Sequence, residues 1–196
     1  MQISHRHKFI NVANPKTASI STWKTLKKYT DIFSVKDQNS PYFHHAEASV
    51  MQKEFVDIWE SYLKFCFVRN HWDKIVSHYF YYRYGSEHTY NGRHDDFAKT
   101  TFEDFVESHV MKETGCLMCK KQSVWYSGVD YVARYENYEE EITNIFDLLK
   151  IEDTPVIHNI NKTQHDDYKK YYNDRTVMMI YEKYRDEMEY LGYEFE

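Results

Sequence analysis

Two short stretches of this chain carry residue types that bind anions. The first is Asn14-Pro15-Lys16-Thr17-Ala18-Ser19-Ile20-Ser21, which offers one cation and three hydroxyl groups within eight residues. The second begins at Arg69, which follows the apolar run ending at Val68 and precedes Ser77 by eight residues. A lone Lys or Arg is usually a solvated surface charge. The two stretches together, in the same context, favour a ligand with two separate anionic ends.

Each stretch is expected at the turn between a buried strand and a helix. Apolar runs predict strands at Lys8–Asn14 and Tyr62–Val68, and a third at Tyr131–Tyr135. A helical stripe of Ile20, Trp23 and Leu26 follows the first run, and Asn70 is expected to cap the helix after the second. Further helices are predicted at Ala46–Ser61, after Thr101, at Tyr138–Leu149 and at Val177–Leu191, with loops at 31–44 and 84–100. This alternation predicts an α/β domain on a central parallel sheet flanked by helices.

The composition limits the kinds of ligand that the chain can bind. A length of 196 residues predicts one domain over residues 1–196. The net charge of −6 argues against nucleic acid, although residues 1–36 hold seven basic residues and one acidic residue, a net +6. No two of the five glycines lie within six residues of each other, so the GxGxxG and Walker loops are absent. With these excluded, the composition still allows a local anion-binding site near the N-terminus that is built without glycine.

The location of the protein is predicted from two further features of the sequence. It contains no run of 18 apolar residues and no charged-then-apolar leader, so we expect neither a membrane span nor secretion. The three cysteines are an odd number, which fits a reducing compartment better than a disulfide framework. A cytoplasmic protein is expected, and its oligomeric state is left open.

The two anion-binding stretches resemble those of a known superfamily. KFINVANPKTASIS is similar to the 5′-phosphosulfate loop of sulfotransferases that use 3′-phosphoadenosine 5′-phosphosulfate (PAPS), and FCFVRNHWDKIVSHY is similar to their 3′-phosphate motif. Further matches follow at His45-Ala46-Glu47-Ala48, at Arg134-Tyr135-Glu136-Asn137 and at Asn161-Lys162-Thr163. The resemblance covers roughly residues 8–196 and is strongest to the carbohydrate-type members. It implies a P-loop-like three-layer α/β fold.

The resemblance also implies a reaction and a set of site residues. PAPS would donate a sulfuryl group to an acceptor hydroxyl, on a saccharide, and would leave as adenosine 3′,5′-bisphosphate (PAP), without any metal. Lys16 would stabilise the leaving phosphate oxygen. The 5′-phosphate would be held by Thr17, Ala18, Ser19 and Ser21, the 3′-phosphate by Arg69 and Ser77, and Lys162 and Thr163 would close over the nucleotide. Two residues depart from the pattern: Ile20 stands where a threonine is common, and His71 replaces a proline after Arg69-Asn70.

A catalytic base is also implied. His45 matches the histidine of the superfamily, and a neutral imidazole suits the activation of a hydroxyl near pH 7. Its neighbour His44 is the alternative.

Several features remain open at this stage. Cys116 and Cys119 have CxxC spacing, but a zinc site requires four ligands and no second CxxC exists. Tyr168, Tyr171 and Tyr172 either stack on adenine or pack in the core. Two other functions compete with sulfotransfer: a catalytically silent module that binds PAP or PAPS, and a nucleotide kinase-like phosphotransferase, which the lack of a Walker loop disfavours.

Overall fold

The computed structural model describes residues 1–84, 99–112, 115–158, 160 and 165–196, except for the side chain of Tyr84. The chain divides into two compact units. The first unit comprises Met1–Val68 and Gln122–Ile160, and the second comprises Arg69–Lys121 and Asn161–Glu196. None of the helices in these described ranges is long and apolar enough to cross a membrane.

The first unit contains a five-stranded mixed sheet. Its strands are β1 (Gln2–Ser4), β2 (Phe9–Asn11), β3 (Ile32–Phe33), β4 (Leu63–Val68) and β5 (Tyr131–Arg134), in the order β3-β1-β2-β4-β5. The pairs β2–β4 and β4–β5 are parallel, which confirms an α/β fold. The wholly parallel sheet that the sequence predicted is wrong, because β1 pairs antiparallel with both β2 and β3. The short β1–β2 connection is a hairpin, and a hairpin joins only antiparallel strands.

Eight α-helices lie in the described part of the chain: α1 (Ser19–Leu26), α2 (Ala48–Glu54), α3 (Val56–Trp59), α4 (His71–Tyr84), α5 (Phe102–Phe105), α6 (Ser123–Tyr126), α7 (Tyr138–Leu148) and α8 (Asp174–Leu191). The single helix predicted over Ala46–Ser61 is instead α2 and α3, which break at Phe55 (φ −111°, ψ 36°). The break buries the Phe55 ring against Tyr42, 5.3 Å away between ring centroids. Strand β3 lies inside residues 31–44, which were predicted to be a loop.

An apolar core joins the sheet of the first unit to its helices. Alternate residues of β4 point to the same face, so Phe65 and Phe67 pack together with Phe9, with Leu26 of α1 and with Ile145 of α7. Lys64 points to the opposite face, where its ammonium donates to the carbonyl oxygen of Trp59 at 2.7 Å. The same ammonium lies 2.9 Å from a carboxylate oxygen of Asp130. The sheet therefore holds the carboxyl ends of β2 and β4 in fixed register.

Helices and turns make up the described part of the second unit. Trp72, Ile75, Val76 and Tyr79 of α4 are buried on one face, and Phe80 is half-buried. The predicted cap at Asn70 and the predicted helix start at Thr101 are confirmed. Asn70 accepts a hydrogen bond from the backbone N–H of Trp72 at 3.0 Å, and Thr101 accepts one from the N–H of Asp104 at 3.1 Å. These caps satisfy amides that a helix cannot pair internally.

Candidate functional site in the first unit

The turn between β2 and α1 has a strained backbone. Lys16 (φ 65°) and Ala18 (φ 60°) both adopt the left-handed conformation without being glycine. That conformation costs about 1–2 kcal/mol for each L-residue. It persists because neighbouring contacts hold it: the Thr17 hydroxyl donates to the carbonyl of Asn14 at 2.9 Å, and α1 begins with the N–H of Thr22 donating to Ala18 at 2.9 Å. Strain of this kind clusters at ligand-binding turns.

Asn14 anchors the start of this turn. Its buried side-chain amide donates to the carbonyl of Phe67 at 3.0 Å and to Oε1 of Gln122 at 2.8 Å. Its own Oδ1 atom is buried and accepts no hydrogen bond from any residue that the structure describes. The turn therefore begins from a side chain fixed at the carboxyl end of β4.

His45 is fixed against the same turn. Its Nδ1 atom lies 2.7 Å from the carbonyl oxygen of Ala13, 32 residues away in sequence. A carbonyl oxygen only accepts, so Nδ1 carries the hydrogen, and in the neutral ring the lone pair is on Nε2. The backbone of His45 is held in turn, because the indole N–H of Trp125 donates to its carbonyl at 3.0 Å. The ring of His45, which carries its basic nitrogen at Nε2, is thus hydrogen-bonded to Ala13, three positions before Lys16 in the sequence.

His44, the alternative base, has a different environment. Its ring lies 4.4 Å from the ring of Phe43 and 4.3 Å from that of His45, between centroids. Burial lowers the pKa of His44, and the positive charge of Lys36 lowers it further. Its backbone N–H donates to Val35 at 3.1 Å. This residue is therefore neutral near pH 7 and packs on aromatic rings.

The residues predicted to hold the 5′-phosphate lie together on the turn but use their hydroxyls differently. Thr17 points inward to Asn14, and the buried Ser21 hydroxyl both accepts from the N–H of Ile160 at 3.0 Å and donates to its carbonyl at 3.3 Å. Ala18 and Ser19 are half-buried, as is Lys16. The first turn of α1 has no acidic residue, and its N–H groups have no partner one turn earlier. The turn can therefore offer an anion backbone amides, the Ser19 hydroxyl and the Lys16 ammonium.

The residues predicted to hold the 3′-phosphate belong to the second unit. Arg69 is 6% exposed and Ser77 is 3% exposed. The Nε atom of Arg69 donates to a carboxylate oxygen of Asp73 at 2.7 Å, and Asp73 precedes Ser77 by one turn of α4. This ion pair fixes the plane of the guanidinium group.

Other predicted residues have different outcomes. Lys162 and Thr163 lie outside the described residues, as does most of the loop at 84–100. Tyr172 is a packing residue: its hydroxyl donates to the carbonyl of Trp72 at 2.9 Å, and burial raises its pKa well above the ordinary value. Tyr168 and Tyr171 make edge-on contacts with Phe195 and Phe80.

A pocket of about 300 Å³ also lies in the first unit, away from the predicted residues. Its lining includes Arg6, Lys28 and Lys150, but Lys28 is paired with Asp153 at 3.0 Å. Both members of that pair are more than half exposed, so water screens the charge. This pocket therefore contributes no argument for the site.

The second unit contains a cluster of four potential metal ligands, of which the sequence indicated two. Cys116 and Cys119 lie beside His78 of α4 and His109, and one ligand atom from each of the four lies within 4.8 Å of the others. The CxxC spacing indicated the two cysteines. The histidines gave no spacing signal, because they lie 38 and 7 residues before Cys116.

Comparisons with known proteins relate this chain to an archaeal protein. No known protein-family model and no solved structure matches this chain. A protein of Archaeoglobus fulgidus, described as an uncharacterized protein, is 30% identical over 120 residues, which are 58% of this chain and 88% of the archaeal one. That description names no activity for the relative. This chain belongs to the same family as the archaeal protein.

Proposed function

We propose that this protein is a sulfotransferase that moves a sulfuryl group from PAPS to a hydroxyl of a saccharide. The observation that carries the proposal is the hydrogen bond between His45 Nδ1 and Ala13, at the start of the turn bearing Lys16. In-line transfer between two oxygens needs a base and a cation, and this hydrogen bond holds His45 against the turn that carries Lys16. We extend the proposal to a P-loop-like three-layer fold and to a cytoplasmic location.

The residues of the turn fit the phosphosulfate end of the donor. The half-buried Lys16, the N-terminus of α1 and the lack of acidic residues in its first turn all favour an anion. Thr17 and Ser21 would act through their amides, because their hydroxyls bond Asn14 and Ile160. The second anionic end is assigned to Arg69 and Ser77, with the ion pair to Asp73 orienting the guanidinium group.

The chemistry divides among these residues. When bound, PAPS supplies the sulfuryl group, and its sulfur–oxygen bond to phosphate breaks as the bond to the acceptor oxygen forms. His45 Nε2 takes the proton of the acceptor hydroxyl, and its Nδ1–H stays on Ala13, which holds the ring in that tautomer. The Lys16 ammonium neutralises the charge that develops on the phosphate oxygen.

A donor-binding test comes first. We expect PAP to raise the melting temperature of the full chain, and ATP with Mg²⁺ to leave it unchanged. Stabilisation is about 2.7 kcal/mol when the ligand concentration is 100 times its dissociation constant. Arg69→Ala should abolish the PAP shift, while Arg175→Ala, an exposed arginine of the same unit, should retain it. Stabilisation by ATP with Mg²⁺ and not by PAP would support the kinase-like alternative instead.

A transfer test then separates an enzyme from a silent binder. With labelled PAPS and a panel of glycans, we expect label on a glycan and release of PAP. His45→Ala should keep the PAP melting shift and lower turnover by about 10²–10⁴-fold. His44→Ala is the matched control and should change turnover only slightly. Intact PAP binding without transfer to any acceptor would leave the silent module as the function, and near-wild-type turnover of His45→Ala would remove His45 as the base.

A further inference from the structure

The second unit contains a compact group of four metal-ligating side chains. His78 lies on α4, His109 lies in a π-helical turn at Val106–Val110, and Cys116 and Cys119 flank a short 3₁₀ turn at Leu117–Cys119. Sγ of Cys116 lies 3.7 Å from Nε2 of His78, and Sγ of Cys119 lies 3.8 Å from Nδ1 of the same ring. One ligand atom from each of the four residues lies within 4.8 Å of the others. Two sulfurs and two imidazoles are therefore gathered around one point.

These distances fit a single tetrahedral zinc ion. Bonds of about 2.3 Å to sulfur and about 2.0–2.1 Å to nitrogen, at tetrahedral angles, place a nitrogen and a sulfur ligand about 3.6 Å apart. Only one ring nitrogen of His78 can bind the ion, so only one of the two observed separations, 3.7 Å for Cys116 or 3.8 Å for Cys119, joins two ligand atoms, and either one is close to that value. A set of two thiolates and two imidazoles is also the chemistry that selects zinc over calcium or magnesium. We infer that His78, His109, Cys116 and Cys119 form a structural zinc site.

The surroundings of the cluster are suited to a closed site. His78 and Cys119 are buried, and His109 and Cys116 are half-buried. The ring of Phe105 lies 5.1 Å from both histidine rings, stacked on His109 and edge-on to His78. A zinc ion with four protein ligands has no position left for a substrate, so the role is structural.

Hydrogen bonds hold two of the segments in place: the π turn that carries His109 and the turn that carries the cysteines. The N–H of Met111 donates to the carbonyl of Val106 at 2.9 Å, a bond across five residues that defines the π turn. Such turns are rare and recur at functional sites. The hydroxyl of Tyr184 on α8 donates to the carbonyl of Cys119 at 2.7 Å. Zinc would join α4 to the π turn and the cysteine turn, which lie close to each other in sequence and well beyond the end of α4.

Two of the four ligands are cysteines, which set the charge of the site. The thiolate is the form of cysteine that binds zinc. Two thiolates balance the charge of Zn²⁺, so the loaded site would be neutral.

Metal analysis of the untagged full chain, purified without chelator, tests the inference. We expect one zinc and no iron per chain by elemental and native mass spectrometry. The double variant Cys116→Ser/Cys119→Ser and the single variant His109→Gln should lose that zinc. Cys66→Ala and His165→Gln are matched controls outside the cluster and should each retain one zinc. Zinc-free protein from zinc-supplemented cells, bound iron, or a Cys116–Cys119 disulfide would overturn the proposal.

A second measurement does not depend on whether the variants fold. Cobalt added to the chelated wild-type chain should give the visible bands of tetrahedral Co²⁺ and a thiolate-to-cobalt absorption, saturating at one equivalent. Zinc should bleach both. Alkylation followed by mass spectrometry should find Cys116 and Cys119 protected by zinc and modified after chelation, whereas Cys66 stays unmodified in both. An octahedral cobalt spectrum, or equal alkylation of Cys116 and Cys119 with and without zinc, would show that no such site exists.

Discussion

The two units of this chain bury different kinds of polar group. Most buried polar residues of the first unit are neutral amides and hydroxyls, such as Asn11, Asn14 and Thr17, with Lys64 as a charged exception. The buried polar residues of the second unit include Arg69, His71, Lys74, His78 and Glu187. Hydrogen-bonded neutral groups lose little when buried, whereas charged groups must be paired. The first unit should therefore depend on apolar packing, and the second on pH and bound ions.

The largest expected effect tests the apolar core of the first unit. Phe65 is fully buried, 5.9 Å from Phe9 between ring centroids. Phe65→Ala should lower the free energy of unfolding by about 3–5 kcal/mol, because it leaves a cavity between the sheet and its helices. Denaturant titration followed by circular dichroism measures the loss. The exposed Phe33→Ala is the control, and equal losses for the two variants would contradict a packed core at Phe65.

A smaller effect tests the ionisable interior of the second unit. His71 Nε2 lies 2.7 Å from a carboxylate oxygen of Glu187, and burial lowers the pKa of His71, with Lys74 acting in the same direction. Glu187 and Asp186 oppose that shift. As the pH falls, His71 takes up its proton at a higher pH in the unfolded chain than in the folded protein. Stability should therefore fall as the pH drops below about 6.5, by up to about 1.4 kcal/mol per pH unit from this residue.

The variant His71→Gln isolates that contribution, because glutamine keeps an N–H donor for Glu187 but does not titrate. Its free energy of unfolding should change less between pH 6.5 and pH 5 than that of the wild type. Denaturant titrations at each pH, followed by tryptophan fluorescence, measure these free energies. Of the four tryptophans, Trp72 lies in the second unit, and Trp23, Trp59 and Trp125 lie in the first. Parallel pH curves for variant and wild type would remove His71 as the source.

Helix caps should contribute about equally little in either unit. Asn173 and Thr176 form a reciprocal capping box at the start of α8. Asn173→Ala should cost about 0.5–2 kcal/mol, because the first-turn amides lose their partner. Ser49→Ala, at an exposed position in α2, serves as the control in thermal melts. A cost no larger than that of the control would contradict a stabilising box.

The smallest effect tests the strained turn of the first unit. Ala18 has φ 60°, a conformation that glycine adopts without steric cost. Ala18→Gly should therefore be neutral or stabilise by up to about 1 kcal/mol, as lost strain offsets the greater freedom of the unfolded chain. Ala48→Gly in the ordinary helix α2 should instead destabilise by about 0.5–1 kcal/mol. Calorimetry compares the two, and a destabilising Ala18→Gly would show that the turn is relaxed.

Local patterns were sufficient where a segment's structure depends on its own residues. The apolar runs around Phe9, Phe65 and Tyr131 predicted three strands, and all three are present. Asn70 and Thr101 predicted helix starts, because a cap needs only the amides two or three residues ahead. The break at Phe55 was missed because it depends on packing against Tyr42, and β3 was missed because a two-residue strand needs its partner β1.

The sequence by itself determined the anion-binding residue types, the three parallel strands and the helix caps, because each follows from neighbours within a few positions. Only the tertiary structure decided that His45 bonds Ala13 across 32 residues and that His78 and His109 meet the CxxC pair. It also decided the inward hydroxyls of Thr17 and Ser21 and the pairing of Arg69 with Asp73. These contacts depend on the direction in which each element leaves the core, which is fixed by packing between segments far apart in sequence.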